Sequence, residues 1–116
     1  MSNDTKAETL YSAAKDNQVA LCTEFYGAAK VGKIFVNAKA LLIAAENKSY
    51  EAFEKMLEIS GEESCGVTSN YSIGLGEDWN KVVTIAQADE RIDAAIKNYN
   101  KKVDENIGNI FGDFEF

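Results

Sequence analysis

The chain has 116 residues, a formal net charge of −7 and a sequence pI near 4.6, and its 46% hydrophobic and 27% charged content suits one globular domain. The acidic balance excludes a binder of the phosphate backbone, which needs clustered Lys and Arg, so no direct nucleic-acid contact is expected. No apolar run approaches the ~18 residues of a membrane span, no membrane contact is expected, and the polar opening stretch MSNDTKAET reads as no signal peptide, which implies a cytoplasmic protein.

Residues 4–29 read as two helices. Thr5-x-x-Glu8 fits a capping box at the first N-terminus, and Leu10, Ala13 and Ala14 fall on one face. Asp16-Asn17 marks a turn, and Val19, Leu21, Cys22, Phe25 and Tyr26 supply the next apolar face. Lys30–Val36 breaks the helical pattern: Gly32 is placed to terminate a helix, and Ile34-Phe35-Val36 reads as a short strand or an extended connection. Asn37 is the expected N-cap of a third helix through Ala40-Leu41-Leu42-Ile43-Ala44-Ala45. Asn47-Lys48 then forms a turn, and Ser49 caps a fourth helix with Tyr50, Phe53, Met56 and Leu57 inward, ending at Gly61.

Ser60 to Asp78 is a loop-like insert with four of the eight glycines, and the alternation in Val67–Leu75 permits a small hairpin. Asp78 reads as an N-cap. From Trp79 to Val103 the pattern is helical, with Trp79, Val82, Val83, Ala86, Ile92, Ala95, Ile96, Tyr99 and Val103 apolar and Asp89-Glu90 dividing it into two helices. The absence of proline permits long uninterrupted helices. The expected fold is therefore mostly α, with antiparallel helix pairs in residues 1–103, a Gly-rich insert between 60 and 78, and an acidic-aromatic C-terminal tail at 104–116.

An internal repeat is visible. LYSAAKDN from Leu10 aligns with LLIAAENK from Leu41, and a weaker copy begins at Val83, giving offsets of 31 and 42 residues. The unit Leu41–Glu58 resembles the helix-turn-helix of an ankyrin repeat, without that family's Thr-Pro pair or its inter-helix glycine. The resemblance implies a protein-interaction scaffold.

Catalysis is hard to build from these residues. With no histidine the commonest general base and metal ligand are missing. Cys22 and Cys65 read as free buried thiols, and Glu62 and Glu63 beside Cys65 oppose thiolate formation. Gly74-Leu75-Gly76 precedes a helix start, but Glu77 and Asp78 would repel a phosphate there. The acidic rows Glu51, Glu54, Glu58 and Asp89, Glu90, Asp93 read as solvated faces balanced by lysines such as Lys55 and Lys97. No enzymatic activity, cofactor or metal is expected.

The tail carries the sharpest functional pattern: Ile110-Phe111-Gly112-Asp113-Phe114-Glu115-Phe116. From Asp104 onward there are four acids and no Lys or Arg. Phe114 and Phe116 suit apolar pockets, Ile110 and Phe111 form a second anchor about one turn earlier, and Asp113 and Glu115 suit a basic rim, with Asp104–Asn109 as a flexible reach. This arrangement resembles the sliding-clamp-binding tails of tailed-phage DNA polymerases and late-transcription coactivators, which pair an aliphatic-Phe step with a later Phe-acid-Phe cluster. It is also similar, less closely, to the acidic tails of single-stranded-DNA-binding proteins. The resemblance implies a phage-encoded adaptor or regulator acting in the host cytoplasm, docking these six side chains on a replication or transcription factor. Three other readings stand: the acidic rows suit an inhibitor of a host nucleic-acid enzyme or defence system, of the anti-restriction or anti-CRISPR type; the repeat suits the ankyrin-like scaffold; and Phe111, Phe114 and Phe116 suit folding back to fill a gap in the domain's own core.

Overall fold

The computed structural model describes residues 3–28, 30–31, 34–63 and 77–112, with side chains described for 5–28, 36–60, 77–102 and 104–105. In chain order these form α1 (Asn3–Lys15), α2 (Val19–Phe25), β1 (Lys30–Val31), β2 (Ile34–Phe35), α3 (Asn37–Glu46), α4 (Tyr50–Glu63), α5 (Glu77–Ala86) and α6 (Glu90–Gly112). The fold is mostly α, as the sequence implies. The two short strands pair antiparallel, Lys30 with Phe35 and Val31 with Ile34. The hairpin expected at Val67–Leu75 lies outside the described residues.

The helices form three consecutive pairs in two layers. The first helices lie side by side in the order α1, α3, α5, and the second helices in the order α2, α4, α6. The core fills the space between them, from Leu10, Ala13 and Ala14 through Leu41, Phe53, Met56 and Leu57 to Val82, Ile92 and Ile96. Ala40, Ala44, Ala45 and Ala52 are buried within it, and so many methyl-sized side chains let the helix axes approach closely. Val83, expected inward, is 38% exposed. Its neighbour Val82 takes the buried position instead, because adjacent helical residues face about 100° apart.

The first two pairs are closed by the same turn. In α1–α2 the Gln18 N–H reaches the Ala13 carbonyl at 2.9 Å, and in α3–α4 the Ser49 N–H reaches the Ala44 carbonyl at 2.9 Å, both spanning six residues. Each turn holds one non-glycine residue at positive φ, Asn17 at 58° and Lys48 at 55°. This is a Schellman-type closure, in which a left-handed residue folds the chain back onto the helix's last carbonyls. These matching bonds stand 31 residues apart, the offset read from the sequence. The third pair closes by three-residue steps, Gln87 to Thr84, Ala88 to Ile85 and Asp89 to Ala86, and α6 begins 40 residues after α4 rather than 42.

Several boundaries differ from the sequence reading. α1 begins at Asn3, so Thr5 and Glu8 lie inside it rather than at its start. Asn37 is the first residue of α3 rather than its cap, and its buried Oδ1 accepts the Gly27 N–H at 3.0 Å. Gly27, at φ 81°, makes the reversal after α2, well before Gly32. α4 passes through Gly61 to Glu63, since one glycine costs a helix only about 1 kcal/mol. Glu77 precedes Asp78 in the first turn of α5, where both acids complement the helix dipole. α6 continues through Asp104–Asn109 to Gly112 as helix, where a flexible reach was expected.

Candidate partner-binding surfaces

Of the six tail residues singled out by the sequence, Ile110 and Phe111 lie in the last turn of α6. Their side chains, and all of Asp113, Phe114, Glu115 and Phe116, lie outside what the structure describes, as do Cys65 and Gly74–Gly76.

α6 itself is positioned by a polar network along the turn edge of the stack. Asp89 starts it: its Oδ1 accepts the Arg91 N–H at 3.1 Å and the Ile92 N–H at 3.3 Å, while its Oδ2 accepts the Tyr50 hydroxyl at 2.8 Å. Arg91 donates from Nη2 to Glu54 Oε1 at 2.9 Å and from Nε to Glu54 Oε2 at 3.3 Å, a fork-to-fork pair. The same guanidinium lies 3.6 Å from Glu51 and 4.7 Å above the centre of the Tyr50 ring. Asn17 joins the first pair to this network. Its Nδ2 donates to Glu51 at 2.8 Å, and its Oδ1 accepts the Ala52 N–H at 2.9 Å, capping α4 from another helix pair.

The charges respond to these contacts. Hydrogen bonding from Asn17 holds the Glu51 carboxyl below its ordinary range. For Asp89, burial acts upward, but bonds from Tyr50 and the Ile92 and Arg91 N–H groups outweigh it and the carboxyl sits low. The bond to Asp89 pushes the Tyr50 hydroxyl up, and the bond to Glu54 pushes Arg91 up. Arg91 is the only arginine in the chain, and the sequence reading did not single it out. The two pairings it did anticipate are present: Lys55 lies 3.8 Å from Glu58, and Lys97 lies 2.8 Å from Asp93.

Beyond this network, α4 and α6 run side by side in the same direction and leave a cleft of about 450 Å³ between them. Leu57, Ala95 and Tyr99 give it an apolar floor, and Lys101, Lys102, Glu58 and Glu105 stand along it. Trp79 of α5 supports Tyr99 from behind, ring edge to face, with centroids 5.8 Å apart. Elsewhere, Cys22 is fully buried, and burial pushes its thiol up to about 11, so it packs as a protonated apolar group. Among the described residues no helix is long and apolar enough to cross a membrane.

No family model, no curated protein and no solved structure matches this chain.

Proposed function

We propose that this protein is a non-enzymatic adaptor that grips a protein partner through its C-terminal segment, with α6 as the rigid stem. The observation that carries this reading is the length of α6. It starts level with α4, where Arg91 meets Glu51 and Glu54, yet it has 23 residues against 14. It therefore runs about 14 Å past the level of Glu63, the last described residue of α4, taking Ile110 and Phe111 with it, at 1.5 Å of rise per residue. Its register against α4 is fixed by the Arg91 network, so the stem offers the tail from a defined place and lowers the ordering cost of binding. By the tail's resemblance, the partner class is a replication or transcription factor, with a sliding clamp first.

The test is a titration of a purified sliding clamp with the full chain and with the Phe114→Ala/Phe116→Ala variant, at low and at moderate salt. The proposal expects binding that survives the added salt and falls at least a hundredfold in the variant, with unchanged circular dichroism. Equal binding by both chains would remove the tail as the grip.

The two-layer order of helix pairs favours a second reading, a scaffold of the ankyrin-like kind whose partner lies along the stack. That reading expects the tail variant to bind its partner unchanged. The inhibitor reading gains less from the geometry, because Glu51, Glu54, Glu58 and Asp93 all have cationic neighbours. It expects binding that collapses with salt.

A further inference from the structure

We draw no further inference here: the strongest candidate, the cleft between α4 and α6 floored by Leu57, Ala95 and Tyr99, is edged by glutamates and lysines together, and nothing in the structure shows what covers it.

Discussion

The first two helix pairs and the third reach the same hairpin shape by different chemistry. α1–α2 and α3–α4 turn on a left-handed residue and a six-residue backbone closure, Gln18 to Ala13 and Ser49 to Ala44. α5–α6 has no such closure, and its helix start is held by Asp89 side-chain bonds that extend to Tyr50. A backbone turn is local and works with few side-chain demands. A side-chain turn must find partners on another pair, so it ties the last pair to the rest. That tie fixes the register of α6, the stem of the proposed grip.

The largest expected effect comes from the core that both kinds of pair share. Phe53 is fully buried between the layers, and Phe53→Ala should cost about 3–5 kcal/mol in urea unfolding, enough to unfold a marginal domain. A smaller loss is expected where α2 meets α4, since the buried Tyr26 and Ser60 hydroxyls share a hydrogen bond. Tyr26→Phe alone should cost about 1–3 kcal/mol by stranding Ser60, and the double change Tyr26→Phe/Ser60→Ala less than the sum of the singles. Asn17→Ala removes the cap of α4 and puts alanine at a left-handed φ of 58°, so it should cost about 1–3 kcal/mol.

The sharpest probe of the two turn types is a pair of glycine substitutions. Lys48→Gly, at φ 55°, should stabilise by about 0.5–1 kcal/mol by relieving a left-handed residue. Ala88→Gly, where no positive φ is present, should destabilise by a similar or smaller amount. Equal signs at both sites would mean that the turns do not differ as described.

The network that ties the three pairs together should respond to acid. Glu51 and Asp89 have lowered folded-state pKa values, so their contribution is present above the ordinary carboxylate range near pH 4 and lost as pH falls through the folded values. Asn17→Ala should flatten the Glu51 part of that acid limb, and Tyr50→Phe the Asp89 part, in urea titrations between about pH 5 and pH 2. Tyr50 has a raised value, so its contribution holds below about pH 10 and fades as pH rises through the folded value. Cys22 acts the same way, between its ordinary 9.0 and about 11.

Helix identity was legible because it is written locally. The Ala-rich runs, the Asp16-Asn17 and Asn47-Lys48 turns and the break at Asp89 all lie within one turn of what they specify. Boundaries were less legible: a single glycine is too weak a stop to end α4 at Gly61, and Asn37 serves Gly27 rather than its own helix. The network was not legible, because Arg91, Glu54, Tyr50 and Asn17 are brought together from separate helix pairs. The lysine pairs at Lys55 and Lys97 were, since their acids sit three or four residues away on the same helix. For the tail, helical Ile110 and Phe111 give the stem, and the sequence of residues 113–116 remains the basis of the proposed grip.

The most direct measurement is competition. A peptide of residues 104–116 is titrated into a preformed complex of the full chain with a purified sliding clamp. The account predicts complete displacement by the peptide and none by the same peptide with Phe114→Ala and Phe116→Ala. A complex that persists at saturating peptide would contradict it and place the grip on the helical body.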